Sequence, residues 1–280
     1  MLAIRRTLLC LMNKKERQFV DVVWEYYRLH GRSHLPWRKR SMPYTVLVSE
    51  LMLQQTQVDR VIPKYQAFMK RFPTVARLAA APQKDVLTVW QGLGYNRRAR
   101  YLQQAAQAVV QNTGFPKTYK ELLTLPGVGP YTAGAIMAFA YNKPVVLIET
   151  NIRQVFLHHF FSRRDGVSDS EILQLVEKTL PVENPRDWYA ALMDYGTYLK
   201  QINGNNTNKS AQYTKQSKFE GSGRQVRGRL LTELTTAASP LSVTDLEKRL
   251  SISSKAVVKE KLLQLVAEEL VYKKGGRYYC

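Results

Sequence analysis

From Lys14 to about Leu199, apolar residues recur at intervals of three and four, as in Phe19, Val22, Val23 and Tyr26 and again in Val61, Tyr65, Phe68 and Met69. That spacing lines them along one face of a helix. Pro36, Pro43, Pro63, Pro73, Pro82, Pro116 and Pro126 punctuate the pattern, most of them where a helix starts or a turn sits. β-Branched stretches such as Val145-Val146 are short and do not alternate, so nothing supports a sheet here. The region is predicted to be all-α.

The chain has 280 residues, with 42 Lys+Arg against 22 Asp+Glu and a net charge of +20. At about 100–200 residues per domain this suits one large domain or two modest ones. The charge exceeds the magnitude of about 2–8 that solubility asks of a small domain. It points to a polyanion, with nucleic acid ahead of an anionic membrane. Hydrophobic residues make up 45 %, which excludes a disordered basic tail. The two cysteines, Cys10 and Cys280, cannot build a disulfide framework, a cysteine zinc site or an iron–sulfur site. No run approaches about 18 apolar residues, and the segment 7–12 is too short for a signal sequence. The helical pattern begins only after Asn13, leaving 1–13 as a tail and Met12 as an alternative start to Met1.

The character changes at Gln201. Residues 202–223 are rich in Asn, Ser, Gly, Gln and Lys without periodicity, which predicts a polar linker. Order returns over 224–280. Leu230, Leu231 and Leu234 mark one helix, Ser242 caps a second from Thr244 to Leu250, and Ser253 or Ser254 starts a third with Val257, Val258, Leu262, Leu263 and Val266. Two short strands around Gly275-Gly276 close the chain, the element order of a winged helix-turn-helix.

Leu125-Pro126-Gly127-Val128-Gly129-Pro130-Tyr131-Thr132 is the most informative short motif. Gly127 and Gly129 permit a tight turn and a close ligand, and Pro130 suits the first turn of a helix whose N-terminal amides favour an anion. In so basic a chain a phosphodiester is the natural guest. Taken with 50–58, which contains Glu50, Gln54, Gln55 and Thr56, and with Gly92-Leu93-Gly94-Tyr95, this motif closely resembles the helix-hairpin-helix DNA glycosylases of the HhH-GPD superfamily, most of all the MutY-type adenine glycosylases. The resemblance runs nearly without gaps from Leu35 to about Leu199 and implies a two-lobed fold over 14–201. One lobe of six helices would cover about 35–145, and the second would combine 14–34 with 146–201.

The resemblance also implies site residues. Glu50, in the apolar stretch Val46 to Leu53, would be the acid that protonates the leaving base, its pKa raised by desolvation. Glu149 would be the carboxylate that stabilises the oxocarbenium-like sugar, at a position where the family carries Asp. The extra methylene extends the side chain by roughly 1.5 Å, and misplacement on that scale can cost about a hundredfold in rate. Asn151 would orient the water or the carboxylate. Tyr131 stands where bifunctional relatives place a Lys, so no Schiff base and no strand cleavage are expected. Gln54 and Tyr95 would enter the opened duplex, with Leu93 nearby and Gln55 and Thr56 beside them, while Asn96 departs from the family's usual aromatic pair. Arg97, Arg98 and Arg100 would contact phosphates, as would Gly127, Val128, Gly129, Tyr131 and Thr132 of the hairpin.

Two family features are missing. MutY-type relatives carry four cysteines after the segment that matches 193–196, where this chain runs Thr197 to Asn203 without one; no 4Fe–4S cluster, and no metal, is expected. His158-His159 is read as core or surface histidines, since adjacent residues face different sides of a helix. In place of the family's MutT-like domain stands the winged-helix-like tail, where Lys255, Lys259, Lys273, Lys274 and Arg277 could meet DNA, although Glu260, Glu268 and Glu269 also suit a protein partner. The expectation is a monomeric, cytoplasmic base-excision-repair enzyme, nucleoid-associated if bacterial, acting on adenine opposite 8-oxoguanine or guanine in double-stranded DNA. A thymine or uracil mismatch glycosylase and a non-catalytic DNA-binding protein are the alternatives.

Overall fold

The computed structural model describes residues 12–214, 219–251 and 254–280. The tail up to residue 11 with Cys10, part of the expected linker, and Ser253 lie outside the described residues. In chain order the helices are α1 Lys14–His30, α2 Pro43–Leu53, α3 Val58–Arg71, α4 Val75–Ala79, α5 Gln83–Trp90, α6 Arg97–Gln111, α7 Tyr119–Leu122, α8 Pro130–Ala135, α9 Thr150–Phe160, α10 Asp169–Thr179, α11 Pro185–Asn203, α12 Gly223–Thr236, α13 Val243–Leu250 and α14 Lys255–Ala267. A π turn, Ile136–Ala140, continues α8. The strands β1, Tyr272–Lys274, and β2, Arg277–Tyr279, pair antiparallel.

Among the described residues the chain divides into two compact units. The first holds 12–46, 117–122 and 129–214; the second holds 47–116, 123–128 and 219–280. These boundaries differ from the lobes expected at 35 and 145, and the C-terminal elements belong to the second unit rather than forming a body of their own.

In the first unit Phe19, Val23, Ile152, Val155, Phe156, Trp188 and Leu192 form the centre of the core. Val22, expected on the buried face of α1, is exposed instead. Asn13 and Glu16 cap α1 reciprocally, each side chain taking the other's backbone N–H at 2.9 Å. Asp194 on α11 draws the segment after α1 onto this core. Its carboxylate accepts from Arg32 N and Nε at 2.8 and 2.7 Å and from Arg38 Nη1 and Nη2 at 2.7 and 2.8 Å. Burial opposes its ionisation, but the Arg38 fork and Arg32 outweigh it and hold the carboxyl below the usual range. Arg38 is therefore committed to an internal ion pair, whereas Lys39 and Arg40 stay exposed.

The expected linker is largely ordered up to Tyr213. Gly204, at φ 74°, ends α11, and Asn206–Lys209 forms a 3₁₀ turn. Buried Gln154 of α9 accepts from Asn206 N at 2.8 Å and donates to Gly204 O at 2.9 Å, while Val167 N bonds Lys209 O at 3.0 Å. Side-chain bonds to backbone hold this stretch, and these carry no apolar period for a sequence reading to detect.

His159 sits half-buried in the same core, its ring edge-on to Phe19 and its Nε2 3.0 Å from the Tyr195 hydroxyl. Burial, aided by His158 and Lys15, pushes its pKa down to about 4. It acts as a core histidine.

In the second unit α4 and α6 pack together, with Leu78, Leu102, Ala105 and Ala106 fully buried. The C-terminal elements follow the expected order. Ser242 and Asp245 form a capping box for α13, Ser254 caps α14, and the β1–β2 turn uses Gly275 and Gly276 at φ 55° and 75°. Leu241 pairs with Tyr278 on the far side of β2 at 2.9 and 2.8 Å. Lys255, Lys259, Lys273, Lys274 and Arg277 are all exposed. The three acidic residues that suited a protein partner are engaged: Glu260 with Lys261, Glu268 with Arg227, and Glu269 with Arg100.

Replacing Asp194 by Asn should cost about 3 kcal/mol in urea unfolding, because two arginines lose their shared counter-charge; a change below about 0.5 kcal/mol would refute the staple. For His159 the folded pKa lies below the ordinary 6.5, so protonation favours the unfolded chain. Its contribution is complete above pH 6.5 and is lost as pH falls toward 4. His159→Phe should show a smaller drop in melting temperature across that interval than the wild type, and a parallel pH profile would contradict the assignment.

Candidate active site

The second unit carries Glu50. Its helix α2 is buried on every side, with Leu47, Val48 and Met52 fully so, and Glu50 itself is 7 % exposed. A helix of this composition has no solvated face, so the carboxyl is held in low-dielectric surroundings. Gln55, at φ 58°, turns the chain out of the helix, with Gln54 half-buried and Gln55 exposed.

The end of α2 is closed by Arg98 of α6. Its Nη1 donates to the carbonyls of Leu51, Met52 and Gln54 at 2.6, 3.0 and 2.5 Å, and its Nη2 to those of Leu93 and Gly94 at 3.1 and 2.9 Å. A cation at a helix C-terminus meets the negative end of the macrodipole as well as unpaired carbonyls. Burial lowers the Arg98 pKa to about 10, which leaves it charged at neutral pH. The phosphate role expected of Arg98 does not hold: the side chain is buried and its donors are spent on backbone. Arg100, paired with Glu269 and bonded to Glu268 O at 2.9 Å, is likewise engaged. Arg97 is exposed and donates to the Tyr101 hydroxyl at 2.7 Å.

Arg98 thereby joins the two loops expected to face DNA. Thr56 Oγ1 reaches Leu93 O at 3.3 Å, and Arg60 bonds Gly92 O. Leu93 is 4 % exposed, so it supports the loop from within and does not itself present a side chain. Tyr95 does present one, at 43 % exposure and φ 45°. Left-handed backbone at a residue other than Gly costs about 1–3 kcal/mol. Here it is held by Arg98 N on Tyr95 O at 2.9 Å.

Gly127, at φ 73°, lies so near Tyr101 that a Cβ would come 2.4 Å from the tyrosine Cβ, so the fold itself requires glycine there. Val128 is buried and its N–H bonds Leu125 O at 3.1 Å, which removes both from a phosphate role.

In the first unit Gly129 has ordinary φ and open space where a Cβ would stand. The fold does not need that glycine. Pro130 opens α8 as expected; Thr132 is buried and Tyr131 half-buried against the core. Glu149 is the N-cap of α9. Its Oε1 accepts from Asn151 N and Ile152 N at 2.7 and 2.9 Å, and its Oε2 from Asn151 Nδ2 at 3.2 Å. The carboxylate folds back onto its own helix instead of extending outward. Burial raises its pKa and these bonds pull it down, with burial ahead. Gly196 of α11 makes the arrangement possible, since a Cβ there would lie 2.4 Å from Asn151 O.

Sequence reasoning missed the structural role of Arg98. The signal was present: Arg98, Leu102, Ala105 and Val109 share one stripe of α6, so a charge stood at a core position. Residues 197–203 do not fit an iron–sulfur cluster, for they supply no thiolate, and Cys280 is the one cysteine among the described residues. Among those residues no group of three or more His, Cys, Asp or Glu is placed to hold a metal, and no helix is long and apolar enough to cross a membrane.

Residues 48–181 match the HhH-GPD superfamily of base excision DNA repair proteins. An adenine DNA glycosylase of Buchnera aphidicola subsp. Baizongia pistaciae is 36% identical over 184 residues, covering 65% of this chain and 52% of that one. The chain thus spans about half the length of that relative. An adenine DNA glycosylase of Mycolicibacterium smegmatis is 34% identical over 237 residues, covering 78% of this chain and 81% of that one. Among solved structures, a thermostable thymine-DNA glycosylase superposes with a TM-score of 0.61 at 25% identity, over 70% of this chain and 93% of that chain. An endonuclease III–DNA complex superposes at 0.54 and 19% identity, over 68% and 87%.

Arg98→Lys keeps the charge and loses the planar fork. It should cost about 2–3 kcal/mol in urea unfolding, as carbonyls of α2 and the 93–94 loop go unpaired. Faster amide exchange at 91–96 should accompany it, and unchanged stability with unchanged exchange would remove the staple.

Proposed function

We propose that this chain, which belongs to the HhH-GPD superfamily of base excision DNA repair proteins and within it to the adenine DNA glycosylase family, is a monofunctional DNA glycosylase that releases adenine mispaired with 8-oxoguanine or guanine. The observation that carries the reading is Glu50, a carboxyl buried in an almost wholly apolar helix.

Hydrolysis of an N-glycosidic bond needs a proton for the leaving base and an anion for the sugar. In this reading Glu50 donates its proton to a ring nitrogen of the adenine. The C1′–N9 bond breaks with its electron pair going to the base, and a water adds to C1′ and passes its proton to the Glu149 carboxylate. Glu149 offsets the positive charge that develops on the sugar. Its three donors hold the carboxylate in one orientation, and Asn151 acts through it. Tyr131 offers no amine, which supports hydrolysis without a covalent enzyme–sugar intermediate. A base must leave the stack before any of this, at a cost of a few kcal/mol. The exposed ring of Tyr95 and half-buried Gln54 support that step, with Gln55 and Arg97 exposed beside them. The residues after Met193 support function without a 4Fe–4S cluster. A second reading, excision of mismatched thymine or uracil, is favoured by the likeness to the thymine-DNA glycosylase structure.

One assay separates these readings. Duplexes carrying A, T or U opposite G or 8-oxoguanine are incubated with the protein, and abasic sites are then cleaved with alkali. Release of adenine alone is expected. Glu50→Gln should lower that release at least about a hundredfold while binding persists. Release of thymine or uracil alone would install the second reading, and no release from any duplex would leave a DNA-binding protein. Borohydride trapping should yield no covalent complex.

A further inference from the structure

Tyr95 is held by more than its own loop. Arg224, in the first turn of α12, donates from Nη1 to the Tyr95 hydroxyl at 2.9 Å. Its guanidinium carbon lies over the tyrosine ring at 5.8 Å from the centroid, and that of Arg98 lies over the same ring at 5.5 Å. A phenol on an exposed ring is satisfied by water and needs no anchor. Here the hydroxyl end is fixed by Arg224 and the backbone end by Arg98, so an exposed side chain has little freedom left.

Docking of the C-terminal elements does not account for this contact. They are already attached within the second unit by the Arg100–Glu269 pair, by Gln83 on Glu269 O at 2.7 Å, by Tyr272 on Gln83 at 3.0 Å, and by Lys84 on Ala237 O at 3.0 Å. The other arginines of α12 bond within the C-terminal elements, Arg227 to Glu268 and Arg229 to Leu250 O at 2.5 Å. Arg224 reaches the loop that carries the proposed wedge.

We propose that Arg224 is a positioning residue for Tyr95: it seats the ring before DNA arrives, so that the C-terminal segment takes part in opening the duplex. The inference rests on the reading of Tyr95 as a wedge. Pre-setting an aromatic ring lowers the entropy lost when it enters a base stack, and a guanidinium stacked on the ring adds cation–π attraction while bringing positive charge beside the phosphates.

The test uses the full chain and a duplex with a tetrahydrofuran abasic analogue flanked by 2-aminopurine. Wedge insertion is then read by fluorescence and affinity without excision. Arg224→Ala and Tyr95→Ala should each weaken binding and the fluorescence change by about fivefold or more, with the double variant within about twofold of Tyr95→Ala. Arg224→Lys keeps charge without the fork and should restore only part of the signal, with melting temperatures of all variants matching the wild type. Wild-type behaviour of Arg224→Ala, or losses that multiply in the double variant, would overturn the proposal. Wild-type behaviour of Tyr95→Ala would remove the wedge and the proposal with it. If the coupling holds while adenine is not excised, the adenine reading falls and this one stands.

Discussion

The second unit depends on one buried guanidinium. Arg98 closes the end of the helix that carries Glu50 and ties it to the loop that carries Tyr95, through six backbone carbonyls and no carboxylate. A carboxylate partner would satisfy a single direction. Carbonyls from two segments oblige those segments to meet at one point, which sets the spacing between the helix of Glu50 and an exposed aromatic ring. Desolvating the cation is the cost, visible in its lowered pKa. That cost is offset because the same carbonyls would otherwise lie unpaired at the end of an apolar helix.

The first unit meets a comparable demand by different means. Its relatives, on the resemblance read from the sequence, hold the region after 193–196 with a metal cluster. Here Asp194 gathers Arg32 and Arg38 at the beginning of that region, and Gln154 fastens the 204–206 turn at its end. Ion pair and amide bonds are directional, and a 4Fe–4S site would impose direction through its thiolates. Directional bonds at both ends of a segment can fix its path without thiolate ligands. The polar composition that reads as a linker is the composition such fastening requires.

The helices and their buried faces were legible because they depend on a period that any sequence displays. Phe19, Val23, Val61, Tyr65 and Phe68 are buried as that period demands, and the C-terminal order of three helices and a hairpin follows from caps at Ser242 and Ser254 and a Gly-Gly turn. What was not legible depends on pairings between distant residues. Arg98 and Arg100 read as phosphate contacts because arginine in a basic chain suggests a polyanion, yet each is spent inside the protein. Composition counts charges without knowing which are already neutralised. Leu93, Val128 and Thr132 show the complementary error: a glycine-rich turn directs several of its neighbouring side chains inward.

Glu149 shows how a departure from a family pattern is judged by geometry. One more methylene than Asp suggests a carboxylate displaced outward by a bond length. The backbone at Glu149 is extended, at φ −143° and ψ −176°, and the longer side chain bends to cap its own helix. Capping by an acidic side chain satisfies amides that every helix start leaves unpaired, and the positive end of α9 favours the anion. Burial works the other way and prevails, so the carboxyl is a stronger base than an exposed glutamate. A poised base beside a fixed Asn151 suits both charge stabilisation and acceptance of a proton from water. The close approach of α11, permitted by Gly196, keeps the Asn151 backbone in place. The extra length of the Glu149 side chain is therefore absorbed by the cap.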